Sequence, residues 1–283
     1  MKSPLPKVSV IVTTKNNEKT IRKCLESITS QTYGNTELLV VDNASTDSTV
    51  KISKEYANTV YSRGPERSAQ RNYGASNARG KYLLFIDSDM VLTDSVLSDC
   101  IDSVSSDKQT VAVIIPEQSI GTGFWSKCKQ LERSFYLNIE WMEAARFFQS
   151  DVFIKLGGFD TKLIAGEDFD LSQRISQIYS QSSIGRIRSL IFHDEQNLSL
   201  TKTIKKKFYY GRFISNYKNI QHNAQLFNKQ ASILQRYQLY FSDTAKLFSN
   251  PIVGLGMLYM KTSEFVFGGF GYMIGYLQRI ISK

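Results

Sequence analysis

The first 115 residues alternate between short apolar runs and segments whose apolar residues recur every three or four positions. The runs predict buried strands, and the spaced segments predict helices between them. The predicted strands cover residues 8–14, 38–41, 60–61, 82–86 and 111–115. The predicted helices cover residues 18–31, 47–57, 66–79 and 94–105. Continuous apolar strands separated by helices indicate βαβ units, so we expect an α/β fold with a mostly parallel sheet covered on both faces.

The rest of the chain is less regular, and only some of its elements can be predicted. Residues 124–148 are rich in aromatic residues and predict a helix, and residues 190–192 predict a strand. An amphipathic helix is expected after Gly166. Either Asn16 or Asn17 is expected to cap the first helix of the chain.

Charge separates the last third of the chain from the rest. Residues 1–195 contain 23 Lys and Arg and 24 Asp and Glu, whereas residues 196–283 contain 12 Lys and Arg and two acidic residues. The net charge of this last segment is therefore +10. We predict a neutral domain over 1–195 and a basic, partly hydrophobic helical extension over 196–283 that meets an anionic partner.

The extension has features of a segment that associates with a membrane. Basic and aromatic residues are mixed over 202–218, and the uncharged stretches 251–260 and 265–278 follow. Each stretch is shorter than the roughly 20 residues that span a bilayer. Interfacial or re-entrant helices are therefore expected, with a single span that includes Lys261 and Glu264 as the alternative.

The cysteine and histidine content excludes two kinds of structural feature. Three widely spaced cysteines and two histidines exclude a disulfide framework and a Cys-rich or His-rich metal centre. They favour a reducing compartment. Residues 1–7 contain no apolar run, so a secretory signal is not expected.

Polar residues follow three of the predicted strands, at 13–16, 42–45 and 87–89. Ligands of parallel sheets bind at the carboxyl ends of strands, so we expect these clusters to converge. Asp87 and Asp89 are spaced to face one divalent cation, and oxygen ligands suit Mg²⁺ or Mn²⁺ bound to phosphate. A solvated turn is the alternative, because so short a motif also arises by chance. An EF-hand is excluded because Leu92 occupies its glycine position.

Other candidate residues each have a structural alternative. Asp42 can bind a base or ribose, or its turn can simply cap the next helix. Arg71 can bind phosphate, but an exposed arginine on a helix is usually only solvated. Glu167 or Asp168 can act as a general base, or both can favour a helix N-terminus. His193 can bind a metal or be structural.

Together, these segments resemble the family 2 glycosyltransferases, which have the GT-A fold, a Rossmann-like sheet flanked by helices. The resemblance covers about residues 7–195. The matching segments occur in the order typical of the family: 8–16, 38–49, 70–89, 157–160 and 166–175.

The resemblance implies a metal-dependent enzyme that transfers a sugar from a nucleoside-diphosphate sugar to a hydroxyl acceptor with inversion. Thr13 and Asp42 would hold the base or ribose, and Arg71 would lie near the base or diphosphate. Asp87 and Asp89 would be the D-x-D motif of the family, in contact with the nucleotide and with Mn²⁺ or Mg²⁺.

For catalysis, the resemblance implies that Asp168 is the base, with Glu167 beside it. His193 stands where many members of the family place a metal-binding histidine.

A lipid-linked or cell-surface glycan is the expected acceptor, at the cytoplasmic face of the membrane, and homo-oligomerisation stays open. The alternatives are a nucleic-acid-binding protein and an inactive nucleotide-binding relative, although we expect no nucleic-acid partner. A nucleotidyltransferase and a Rossmann dehydrogenase are disfavoured because residues 13–20 contain no glycine.

Overall fold

The computed structural model of the chain describes residues 5–218, 220 and 224–281. The first of its two units contains Met1–Glu117, Ala144–Thr161 and Asp168–His193. The second contains Gln118–Glu143, Lys162–Glu167 and Asp194–Lys283. The second unit thus includes residues 118–143, 162–167 and 194–195 of the predicted domain 1–195, in addition to the predicted extension 196–283. The ends of those predicted domains, residues 1–4 and 282–283, lie outside the described residues.

Ten strands and twelve α-helices are assigned in the described residues. The strands are β1 (Val8–Thr14), β2 (Thr36–Asp42), β3 (Thr59–Ser62), β4 (Tyr82–Asp87), β5 (Met90–Leu92), β6 (Ala112–Ile114), β7 (Glu117–Thr122), β8 (Ala145–Gln149), β9 (Ile184–Arg186) and β10 (Ile191–Asn197). The helices are α1 (Ile21–Thr29), α2 (Thr49–Tyr56), α3 (Arg67–Ser76), α4 (Val96–Ser106), α5 (Phe124–Ser134), α6 (Ser150–Lys155), α7 (Glu167–Tyr179), α8 (Leu200–Lys218), α9 (Ala224–Ala231), α10 (Ile233–Phe241), α11 (Thr244–Leu247) and α12 (Pro251–Ile281).

A seven-stranded sheet in the order β3-β2-β1-β4-β8-β6-β9 is the centre of the first unit. The pairs β3–β2, β2–β1, β1–β4 and β6–β9 are parallel. Strand β8 lies between β4 and β6 and is antiparallel to both. The α/β fold class and the mostly parallel sheet are therefore confirmed.

Both faces of this sheet are covered, as the continuous apolar strands predict. Alternate residues of a strand point to opposite faces. Val10 and Val12 pack in one apolar cluster with residues of α1 and α4. Ile11 belongs to a second cluster with residues of α3, α6 and α7. The sheet is thereby fixed between two helical layers, which leaves its carboxyl edge to carry polar side chains.

The prediction of one helix over 124–148 is wrong. Helix α5 ends at Ser134, and residues 145–149 form β8, between β4 and β6. Three residues of β8 are buried because their side chains pack on the two faces of the sheet: Ala145, Phe147 and Phe148. A short apolar run of this kind cannot be assigned to a strand or a helix from periodicity alone.

The predicted asparagine cap of α1 is also wrong. The N-cap residue is Thr20, and the Asn17 side chain instead donates a hydrogen bond to Ser88 Oγ at 2.6 Å. Asn16 Oδ1 accepts a hydrogen bond from the backbone N–H of Thr46 at 2.8 Å. The two asparagines therefore connect the loop after β1 with the loops after β2 and β4.

The second unit is mainly helical. Its core contains Cys128 and Phe135 of the α5 region, Tyr240 of α10, and Met257 and Met260 of α12. The stretches 251–260 and 265–278 form one continuous helix of 31 residues, α12. In the part of the chain that the structure describes, no helix has both the length and the apolar character required to cross a membrane.

Candidate active site

Parallel pairing aligns the carboxyl ends of three strands. Strand β1 lies between β2 and β4, with Thr14 opposite Asp42 and Thr13 opposite Asp87. Since parallel strands end at the same edge of a sheet, the polar residues that follow them are neighbours. The structure therefore brings Thr13, Asp42 and Asp87 together, as expected for polar residues at the carboxyl ends of parallel strands.

Thr13 and Asp42 are both buried at this edge. The hydroxyl of Thr13 donates a hydrogen bond to Asp87 Oδ1 at 3.1 Å. The carboxylate of Asp42 accepts hydrogen bonds from the backbone N–H and the hydroxyl of Ser45, at 2.8 and 2.5 Å. Asp42 thus shapes the turn after β2, and its contact with a base or ribose stays a prediction.

Two arginines from α3 face Asp87. Arg71 Nη2 lies 2.8 Å from Asp87 Oδ1, and Arg67 Nη1 lies 3.9 Å from Asp87 Oδ2. Burial acts to raise the pKa of Asp87, but the charges of Arg71, Arg67 and Arg146 outweigh it and hold this pKa well below its usual range. Asp87 is therefore a carboxylate surrounded by guanidinium groups.

The structural alternative for Arg71, an exposed and solvated arginine, is wrong, since only 4% of its side chain is exposed. Its guanidinium lies 5.3 Å from the centre of the Phe159 ring. The neighbouring Asn72 side chain donates to Phe159 O at 2.8 Å and accepts from Phe159 N at 2.9 Å. Segments 70–89 and 157–160 therefore meet at Arg71 and Asn72, which fixes the guanidinium beside Asp87.

Asp89 and His193 form a second pair near the same strand end. Strand β10 is antiparallel to β5, with His193 opposite Met90, and this register places His193 Nε2 3.3 Å from Asp89 Oδ2. Asp89 Oδ1 is buried and accepts no hydrogen bond from a described residue. A buried carboxylate oxygen that has no partner costs free energy, and a divalent cation would be a suitable partner.

The donor set at this position fits a metal ion only in part. Asp89 and His193 provide an oxygen and an imidazole, which suit Mn²⁺ and are compatible with Mg²⁺. Within the described ranges, no group of three or more His, Cys, Asp or Glu side chains is arranged to hold a metal. The role of Asp87 as a metal ligand stays a prediction, and a diphosphate or water would complete the coordination.

The first turn of α7 places Asp168 near β8. Asp168 Oδ1 accepts the backbone N–H of Phe169 at 2.9 Å, and its carbonyl accepts the hydroxyl of Ser172 at 2.9 Å. The same hydroxyl accepts a hydrogen bond from the N–H of Ala145 in β8 at 3.1 Å. The start of α7 is thereby attached to the strand next to β4.

Arg146 follows Ala145 in β8 and forms an ion pair with Glu117. Burial acts to lower the pKa of Arg146, but the charges of Glu117, Asp87 and Asp168 outweigh it and raise this pKa. Arg146 therefore shares an electrostatic environment with Asp87 and Asp168. Arg146 is not among the site residues predicted from the sequence, because the segment 124–148 predicts a helix there instead of a strand.

Glu167 is buried and belongs to the second unit. The preceding Gly166 has φ of +82°, a left-handed conformation that favours glycine. A Cβ at Gly166 would lie 2.9 Å from the Tyr217 ring of α8. The glycine is therefore required both by its backbone conformation and by the close approach of Tyr217.

Comparison with known proteins identifies the family of the chain. The sequence profile described as Glycosyl transferase family 2 matches residues 9–159, which is more than half of the chain. Glycosyltransferase GlyA of Streptococcus pneumoniae is 32% identical over 139 residues, which cover 47% of this chain and 19% of GlyA. Poly(ribitol-phosphate) β-N-acetylglucosaminyltransferase TarS of Staphylococcus aureus is 34% identical over 119 residues, which cover 38% of this chain and 20% of TarS. The chain thus spans about a fifth of the length of these relatives.

Solved structures show the same fold. The mannosyltransferase PcManGT from Pyrobaculum calidifontis, in complex with GDP-Man and Mn²⁺, has a TM-score of 0.64 at 15% identity. That match covers 95% of this chain and 87% of PcManGT. A structure of TarS residues 1–349 in complex with UDP has a TM-score of 0.53 at 15% identity and covers 96% of this chain and 91% of that chain. The chain belongs to glycosyl transferase family 2 and has the GT-A fold.

Proposed function

We propose that the chain transfers a sugar from a nucleoside-diphosphate sugar to a hydroxyl group of an acceptor, with inversion at the anomeric carbon. The observation that carries the proposal is the convergence of Thr13, Asp42 and Asp87 at one sheet edge, with Arg71 against Asp87. Ligands bind at this edge in parallel sheets, and the family profile covers all four residues.

Positive charge at the sheet edge supports a diphosphate as the ligand. Arg67 and Arg71 both face Asp87, so two guanidinium groups lie at this edge of the sheet. Guanidinium groups bind phosphate oxygens bidentately. UDP in the TarS complex and GDP-Man in the PcManGT complex are ligands of the class proposed here.

Asp89 and His193 would hold a divalent cation, with Mn²⁺ or Mg²⁺ as the candidates. The support is the buried Asp89 Oδ1 that lacks a hydrogen-bond donor among the described side chains, together with the 3.3 Å approach of His193. When bound, such a cation stabilises the negative charge that develops on the leaving diphosphate.

Asp168 acts as the base in this proposal. Its carboxylate takes the proton from the acceptor hydroxyl as the hydroxyl oxygen forms a bond to the anomeric carbon. The bond between that carbon and the diphosphate oxygen breaks with its electron pair, and the nucleoside diphosphate leaves. A single displacement of this kind inverts the anomeric carbon. Glu167 directly precedes this base in the chain and is the other acidic residue predicted at this position.

We further propose a lipid-linked or cell-surface glycan as acceptor, at the cytoplasmic face of a membrane. The support is the net charge of +10 over residues 196–283 and the aromatic residues among its lysines. Cys24, Cys100 and Cys128 are free and buried, which is compatible with a reducing compartment.

An assay of donor cleavage tests the enzymatic proposal. The full chain is incubated with UDP-glucose, UDP-N-acetylglucosamine and GDP-mannose in turn, with a membrane-lipid extract as the acceptor source. We expect release of UDP or GDP above the protein-free rate with at least one donor in Mn²⁺ or Mg²⁺, and loss of release in EDTA. NMR of the product should show the inverted anomer. No release from any of these donors with either cation, or a retained anomer, would contradict the proposal.

A further inference from the structure

The helix α12 of the second unit has an exposed side that carries several large apolar residues. We call six residues of this side the α12 face: Leu255, Tyr259, Val266, Phe270, Met273 and Leu277. Each is between 48% and 62% exposed. At about 100° per residue, all six lie within an arc of about 60° on the helix. Large apolar side chains in one narrow arc indicate a surface that is covered by a partner.

The opposite side of α12 is already occupied by α8. A Cβ at Gly271 would lie 2.2 Å from the carbonyl oxygen of Phe208, and one at Gly275 would lie 2.2 Å from that of Arg212. The two helix backbones therefore approach each other so closely that only glycine fits between them. This packing uses none of the α12 face, so that face remains available to a partner.

The two charges in the middle of α12 also point away from the α12 face. Lys261 Nζ lies 2.6 Å from Glu132 Oε1 of α5 and 2.8 Å from Glu264 Oε2. Glu264 Oε1 lies 3.4 Å from Lys129 Nζ, also of α5. Both charges are buried and satisfied within the second unit, so they do not oppose the burial of the α12 face in an apolar medium.

Charge decides between the two partners that could cover this face. Only Asp243 and Glu264 are acidic in residues 196–283; Glu264 is buried, and Asp243 caps α11. Lys205 and Lys206 are exposed on α8. A second copy of the chain would bring its own segment 196–283, with a net charge of +10, against this equally basic segment, whereas an anionic membrane would attract it.

We propose that α12 lies in the plane of an anionic membrane, with the α12 face among the acyl chains and the α8 side held by protein. Amphipathic helices lie in the membrane interface with their apolar side buried. In α12, the packing against α8 would take the place of the polar side. The proposal deepens the membrane location proposed above and rests on it, by naming the residues that enter the lipid.

Two double variants test the proposal in the full chain. In the first, Phe270 and Met273 are replaced by glutamate. In the matched control, Ile154 and Ile178, which are 63% and 59% exposed in the first unit, are replaced by glutamate. Flotation with vesicles of phosphatidylcholine and phosphatidylglycerol measures binding, and circular dichroism and thermal melting check that each variant folds.

We expect the wild type and the control to bind these vesicles and the F270E/M273E variant to bind about tenfold more weakly or worse. Binding of the wild type should also be weaker to vesicles of phosphatidylcholine alone. Equal binding of the two variants, or no preference for the anionic vesicles, would overturn the proposal. So would a wild-type dimer in light scattering that the F270E/M273E variant converts to a monomer, since α12 would then contact a second copy.

The outcome is separate from that of the enzymatic proposal. Donor cleavage measured in detergent does not need a membrane, so a failure of vesicle binding with intact cleavage would reject only the inference about α12. If the wild type showed neither donor cleavage nor transfer to an acceptor, the enzymatic proposal would be rejected. The flotation result would still decide whether α12 binds the membrane.

Discussion

Replacement of Asp168 by asparagine is expected to lower the rate of sugar transfer by about 10²–10⁴-fold, the usual contribution of a general base. Asparagine keeps the shape of the side chain and its oxygen for the backbone N–H of Phe169, but it cannot take a proton. Donor binding should therefore be unchanged. The measurement is kcat for transfer together with a separate titration of the nucleoside diphosphate.

Asp151 offers a matched control for this variant. Its Oδ1 accepts the N–H of the next residue, Val152, at 2.9 Å at the start of α6, which is the contact that Asp168 makes at the start of α7. D151N should leave both kcat and donor affinity at the level of the wild type. An unchanged kcat in D168N, or an equal loss in the control, would show that Asp168 is not the base.

Replacement of Asp89 by alanine is expected to abolish the activation of donor cleavage by Mn²⁺ and to reduce the rate by about 10³-fold, because a Lewis acid contributes several kcal/mol. The reason is that Asp89, which faces His193, has a buried carboxylate oxygen without a hydrogen-bond donor among the described residues. The rate is measured against Mn²⁺ concentration for the wild type and the variant. D94A, at an exposed aspartate shortly after β5, serves as the control and should respond to Mn²⁺ like the wild type.

The variant H193A is expected to reduce the activation of donor cleavage by Mn²⁺ less than D89A does, since Asp89 is the principal ligand in this proposal. Mn²⁺ activation with the same midpoint in D89A and the wild type would reject Asp89 as the metal ligand. It would leave Asp89 as part of a hydrogen-bonded turn.

The sheet and the convergence of its strand ends could be predicted from the sequence because both depend on short-range patterns. Strands β1, β2 and β4 are continuous apolar runs, and Thr13, Asp42 and Asp87 stand at their ends. Parallel pairing in the order β2-β1-β4 then brings these ends together.

Other parts of the site depend on contacts between distant segments and were therefore missed or misjudged. Arg71 is buried because Phe159, 88 positions later in the chain, covers its guanidinium. Arg146 lies in β8, whose short apolar run has no periodicity that separates a strand from a helix. No local pattern contains this information.

The charges of α12 illustrate the same limit. In the sequence, Lys261 and Glu264 interrupt an apolar segment and raise the cost of placing it in lipid. In the structure, they pair with Glu132 and Lys129 of α5, more than 120 residues earlier in the chain. The partner helix therefore changes the interpretation of the segment, which presents only its apolar side.

We propose that the ends of β1, β2 and β4 form one site for a nucleoside diphosphate and a divalent cation. Isothermal titration of the full chain with UDP and with GDP, each in Mn²⁺ and in EDTA, measures binding at this site. We expect saturable binding of at least one nucleotide at a single site, about tenfold or more tighter in Mn²⁺. No binding of either nucleotide, or equal affinity in Mn²⁺ and EDTA, would show that the strand ends do not form such a site.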